Sequence, residues 1–143
     1  VQPLFAEFHF GGLALAHNGN LTNALTLKRD LIKRGSIFQS TSDTEVIVHL
    51  LALSKAGTIE DRLTDALTQI EGAYSLVILS PEKLIGVRDP LGIRPLVLGK
   101  RSDAYVLASE TVALDIIGAD YVRDIEPGEM IVITADGLQS IFP

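Results

Sequence analysis

"GAYSLVILSPEKLIGVRDPLGIRPLVLGKR", residues 72–101, is where the apolar pattern changes period. "AYSLVILS", "KLIGVRD" and "PLVLGKR" are short runs, rich in branched residues and separated by Pro, Gly and Ser. That pattern predicts successive strands, most simply antiparallel. "AYVLAS" continues it. Upstream the spacing is helical. In "TIEDRLTDALTQIEG", Ile59, Leu63, Leu67 and Ile70 form one apolar stripe, with acids early and Gly72 as the stop. "STSDTEVIVHLLALSKAG" predicts a second helix, with Ser42 and Glu45 spaced as a capping box and Gly57 at its end. "LTNALTLKRDLIKRG" predicts a first one, with Leu21, Leu25, Leu31 and Ile32 on one face and Gly35 after it.

The chain starts with "LFAEFHF" and "LALAH" around Gly11-Gly12, a hairpin pattern with the glycines as its turn. It ends with "EMIVITADGLQSIF", a hairpin around Asp136-Gly137, after a short helix or turn in "TVALDIIGAD". Strands, then helices, then strands give an α+β layered fold rather than a doubly wound sheet.

At 143 residues the chain has the size of one domain. It is 47% hydrophobic, with a mean hydropathy of +0.31, yet no apolar run approaches the roughly 20 residues of a membrane span. Net charge is −6 and no Lys/Arg cluster forms a basic face, which argues against nucleic acid or an anionic membrane as partner. There is no cysteine, so the chain itself contains no disulfide, thiolate metal site or Cys nucleophile. Val1-Gln2-Pro3 has neither an initiator Met nor a signal peptide. We expect the chain to be the inside of a longer protein.

Few residues carry chemistry alone. "AHNGNL", residues 16–21, lies where a strand hands over to a helix. An Asn18 amide and a Gly19 backbone N–H aimed at one oxygen would form an oxyanion hole, the donor pair that acyl transfer needs. Taken alone, the residues read better as an ordinary turn with an Asn20 or Thr22 helix cap. Asp43 could hold a ligand ammonium, or simply complement a helix dipole. Ser42 and Thr44 are nucleophile types without a base nearby, and capping explains them. His9, His17 and His49 lack metal-ligand spacing. Arg88, Asp89 and Arg94 suit either an anion or domain-contact site, or an internal Arg–Asp pair in a turn stiffened by Pro90 and Pro95. Gln2-Pro3 and Glu110 carry little by themselves.

"QPL", "HNGNL", "TSDTE", "GAYSLVIL", "RDPLGIRPLVLG" and "ASETVALDIIGADYVRDIEPGEM" occur here in one order. In that order they resemble the class II (N-terminal-nucleophile) glutamine amidotransferase domain of the amidophosphoribosyltransferases. "HNGN" with "SDTE" resembles the class generally. "RDPLGIRPL" with "ASETVALD" points to the purine-biosynthesis branch and away from glucosamine-6-phosphate synthase or asparagine synthetase. The resemblance implies a four-layer αββα sandwich, incomplete here, with residues 1–143 as the later portion of one such domain. It implies Asn18 and Gly19 as oxyanion hole and Asp43 as ligand for the glutamine α-amino group. It implies an N-terminal Cys nucleophile and an Arg for the glutamine carboxylate, both outside this chain. The isolated chain is therefore expected to be inactive, and a non-catalytic glutamine-binding or assembly module is the reading from another class.

The implied partners are glutamine and a phosphoribosyltransferase domain of the same polypeptide, in a cytoplasmic homo-oligomer. No cofactor is expected in this chain. Mg²⁺ is expected for the phosphoribosyltransferase domain, and ligands of any iron–sulfur cluster would lie outside residues 1–143.

Overall fold

The computed structural model describes residues 2–143. A hairpin, β1 (Leu4–Phe8) and β2 (Gly11–Leu21), leads into α1 (Ala24–Lys33), α2 (Asp43–Leu53) and α3 (Ile59–Leu67). The strands β3 (Gly72–Leu79), β4 (Leu84–Arg88), β5 (Val97–Arg101) and β6 (Ala104–Ala108) follow. Then come α4 (Thr111–Ile117), β7 (Asp120–Asp124), β8 (Met130–Thr134) and β9 (Gly137–Ile141). A six-stranded sheet runs β1-β2-β3-β4-β8-β9 and a three-stranded sheet runs β6-β5-β7. Every pairing is antiparallel.

The two-residue alternation of the strands sorts side chains into separate cores. Leu13, Leu15, Tyr74, Leu76, Ile78, Met130 and Val132 face α1–α3 and form the largest. The intervening Val77, Ile131 and Ile133 meet Leu96, Leu98 and Leu107 between the sheets. Val97, Val106 and Ala108 pack on the other face of the small sheet with Leu114 of α4. The layers are therefore helices, sheet, sheet, helix, as the α+β sandwich expectation requires. Gly86 makes the sheet-to-sheet contact possible, because a Cβ there would lie 2.7 Å from Leu107 Cδ1.

Several local expectations shift. The first hairpin turns at His9-Phe10, since Phe8 pairs with Gly11. The last turns at Ala135-Asp136, since Thr134 pairs with Gly137. In both, the glycine flanks the two-residue loop and opens the returning strand with positive φ. Leu25 and Ile32 are exposed, while Leu31 is buried and Leu21 belongs to β2. The α1 stripe is thus narrower than its leucines suggest. Helix α3 stops at Leu67 and α2 at Leu53, short of the glycines expected to end them. Strand β7, "DYVRD", is mostly exposed, so no apolar alternation announced it.

Candidate functional site

The segment expected to turn does not. His17, Asn18, Gly19 and Asn20 all lie in β2, in continuous register with β3. Gly19 is required there. Its φ is +139°, and a Cβ would fall 2.1 Å from the Ala73 carbonyl oxygen. Asn18 sits directly opposite Ser75, so the two side chains share a sheet face at roughly 5 Å spacing. Both line an open groove of about 560 Å³ between the sheets, with Ala16, Val77, Leu96 and Leu107 as its apolar walls.

Helix α2 brings Asp43 to the end of the same strand. Ser42 caps the helix by accepting the Thr44 N–H at 3.2 Å. The capping box is only half made, because Glu45 instead accepts from the Gln39 and Ser40 N–H groups at 2.9 and 3.1 Å. Asp43 Oδ2 accepts the Leu21 N–H at 3.0 Å. Its other oxygen takes no hydrogen bond from the described residues and remains available to a cation.

His17 is buried beside this carboxylate, and its Nε2 has no partner among the described residues. Burial holds its pKa below the ordinary histidine value; Asp43 opposes the shift and Arg94 adds to it. The ring is neutral at pH 7, which suits a packed histidine rather than a proton donor. His9 lies exposed in the first hairpin turn and His49 packs on Phe38, so neither joins the site. Glu110 is exposed at the α4 N-cap without a capping bond.

"RDPLGIRP" is a scaffold. The Arg88 guanidinium donates to the carbonyls of Arg94, Ile125 and Gly92 at 2.9, 2.8 and 2.9 Å. Asp89 is fully buried and accepts from the backbone N–H groups of Tyr74, Leu91, Ile93 and Arg94, at 3.1–3.4 Å. Of the two alternatives, the internal Arg–Asp pair does not form between Arg88 and Asp89: each charge turns to backbone dipoles instead. Asp89 also donates its own N–H to the Tyr74 carbonyl at 2.9 Å. Tyr74 is the residue opposite Gly19, so the loop braces the strand that braces Gly19. Burial, with Asp89 nearby, pushes the Tyr74 hydroxyl up to about 12.

Two polar elements went unread in the sequence. The Gln2 carboxamide bonds the backbone of His17. The Glu129 carboxylate, its side chain 1% exposed, takes both guanidinium arms of Arg123 at 2.8 and 2.7 Å. It also accepts from Ser140 Oγ at 2.6 Å and the Glu126 N–H at 2.8 Å. That knot joins β7 of the small sheet to β8–β9 of the large one. Its hydrogen bonds hold the Glu129 carboxyl at about 2. A "PGE" turn gives no hint of partners six and eleven residues away along the chain.

The chain is 55% identical over 143 residues to an amidophosphoribosyltransferase of Rhizobium etli, covering 99% of the chain and 29% of that protein. A chloroplastic relative in Arabidopsis thaliana is 52% identical, over 98% of the chain and 25% of its own length. The chain thus spans less than a third of the relatives it matches. The solved glutamine phosphoribosylpyrophosphate amidotransferase of Bacillus subtilis, complexed with ADP and GMP, superposes with a TM-score of 0.96. That match has 48% identity and covers 99% of this chain and 31% of the other. Residues 1–115 match the glutamine amidotransferase domain, so the chain belongs to that family.

Proposed function

We propose that this chain is the later portion of the glutaminase domain of an amidophosphoribosyltransferase, spanning residues 1–143. The observation that carries the reading is the convergence of Asn18, Gly19 and a half-satisfied Asp43 on one strand end. Asp43 would hold the α-ammonium of glutamine through its unbonded oxygen. The side-chain carbonyl of glutamine would then lie against the Asn18 amide and the Gly19 N–H. The nucleophile would be a Cys thiolate at the N-terminus of the longer polypeptide, with its α-amino group as general base. Attack forms a carbon–sulfur bond and a tetrahedral oxyanion, which the two donors stabilise. Collapse expels ammonia, and water then releases glutamate from the thioester.

The ammonia would pass to a phosphoribosyltransferase domain of the same polypeptide. There it displaces pyrophosphate from phosphoribosyl pyrophosphate to give 5-phosphoribosylamine for purine synthesis. The names of the relatives and the "RDPLGIRPL" motif support this pathway. Mg²⁺ belongs, in this reading, to that other domain. Among the described residues no group of three or more His, Asp or Glu side chains is placed to hold a metal ion. No helix among them is long and apolar enough to cross a membrane, and a cysteine-free chain suits the cytoplasm. Exposed Val112 and Ile116 on α4 support assembly into homo-oligomers.

The test is Asp43→Ala in the longest natural polypeptide that contains this chain. The KM for glutamine should rise at least about 10-fold, the scale of one charged hydrogen bond, while synthesis from added ammonia stays at the wild-type rate. An unchanged KM removes Asp43 from the glutamine site. Residues 1–143 alone should release no glutamate above background.

A further inference from the structure

Strand β2 outruns its neighbour. Its pairing with β1 stops at Leu15, opposite Leu4. Its pairing with β3 continues to Leu21, opposite Gly72. From Ala16 to Leu21, the edge of β2 on the β1 side has no strand beside it among the described residues. Unpaired strand edges are solvated and fray, yet this edge holds the proposed Gly19 donor, and the Asn18 side chain departs from the same stretch of strand onto the groove face.

Two side chains take the place of the missing strand. Gln2 Nε2 donates to the His17 carbonyl at 2.8 Å, and Gln2 Oε1 accepts the His17 N–H. One carboxamide thus reproduces the paired N–H and C=O exchange of an antiparallel ladder. Further along, Asp43 Oδ2 accepts the Leu21 N–H. Alternate residues of an extended strand address the same edge, so Gly19 falls midway between the two clips.

The His17 carbonyl belongs to the same rigid peptide plane as the Asn18 nitrogen. Holding that carbonyl holds the plane from which the Asn18 side chain departs. We infer that Gln2 is a positioning residue for the oxyanion hole, a side-chain substitute for a strand that sets the direction of the Asn18 amide and the Gly19 N–H. Both polar ends of its carboxamide are occupied by the His17 backbone, so it acts through β2. The inference rests on the glutaminase reading above.

The experiment compares Gln2→Ala and Gln2→Glu in the full-length polypeptide. Glutamine-dependent and ammonia-dependent synthesis are measured side by side, with the melting temperature. Gln2→Ala should lower the glutaminase kcat about 10- to 100-fold, the scale of a small misplacement of catalytic groups. The KM for glutamine should change less than about threefold, because the binding carboxylate is untouched. Gln2→Glu should fall at least as far, since its second oxygen would face the His17 carbonyl. The effect of Gln2→Ala should shrink in an Asn18→Ala background, where there is no amide left to position.

A kcat within about threefold of wild type overturns the inference. So does an equal loss in both backgrounds, which would place Gln2 outside the oxyanion hole. A parallel loss of ammonia-dependent synthesis, or a collapsed melting temperature, overturns it in favour of a general structural role. A wild-type protein that cannot use glutamine sinks the underlying reading instead, and the wild-type assay reports that separately.

Discussion

The loop from Arg88 to Pro95 and the strand end from His17 to Asn20 flank Tyr74 from opposite sides, and their polar groups are used in opposite ways. In the loop, Asp89 and Arg88 are consumed by seven backbone partners. At the strand end, among the described residues, His17 Nε2 has no partner and one Asp43 oxygen takes no hydrogen bond, while Asn18 faces a groove. Burying a charge is tolerable when every hydrogen-bonding position is filled. A saturated polar cluster braces the fold, and the strand end beside it is the site proposed for glutamine. Arg94 Nε is the loop's one exception among the described residues, and Arg94 is the loop residue whose charge reaches His17.

That contrast can be broken from either side. Gly19→Ala should have the largest effect. A Cβ cannot occupy the position of the Ala73 carbonyl oxygen, so β2 and β3 must part. Chemical denaturation should show a loss of about 4 kcal/mol or more, in the range reserved for disrupted backbone. Asn18→Ala should leave stability within about 0.5 kcal/mol, as at an exposed position. It should lower glutamine-dependent kcat about 10²–10³-fold, the usual scale for one oxyanion donor.

Asp89→Ala should do the reverse. It strips an acceptor from four N–H groups, and stability should fall by about 3 kcal/mol. In the longer polypeptide, at a temperature where it stays folded, the glutamine-dependent rate expected from the proposed function should remain within about threefold of wild type. A catalytic loss as large as that of Asn18→Ala would end the distinction between brace and site.

The smallest effect concerns the Glu129 knot. Its carboxyl is held at about 2, against an ordinary value of 4.5. A depressed carboxylate pKa contributes stability that is present above the unfolded value and lost as pH falls towards the folded one. Thermal melts should therefore show stability declining between about pH 5 and pH 2, by about 2 kcal/mol for this group. In Glu129→Gln that part of the slope should disappear, with glutamine use unaffected at pH 7.

What was legible in the sequence was local. The alternation in "YSLVIL" and "MIVIT" and the stripe from Ile59 to Ile70 placed strands and helices where they are, because periodicity records which face a segment buries. The ordered motifs carried the family. The mostly exposed β7 had no such pattern. The turn at "HNGN" was misread because Asn and Gly favour turns unless a neighbouring strand claims them. Here β3 does claim them, and Gly19 is needed for close approach to Ala73 rather than for reversal of the chain.

Composition and periodicity thus determined the α+β class and the helix and strand inventory apart from β7, while Asn18, Gly19 and Asp43 were singled out as pocket residues only by the resemblance of the ordered motifs. Only the tertiary structure decided which polar groups are spent and which are free. Asp89 is satisfied by the Tyr74 N–H, Glu129 by Arg123 and Ser140, and the His17 backbone by Gln2, all across turns or between strands. Hydrogen-bond satisfaction depends on distance in space, and residues separated along the chain come within that distance only when the strands pair and the two sheets pack.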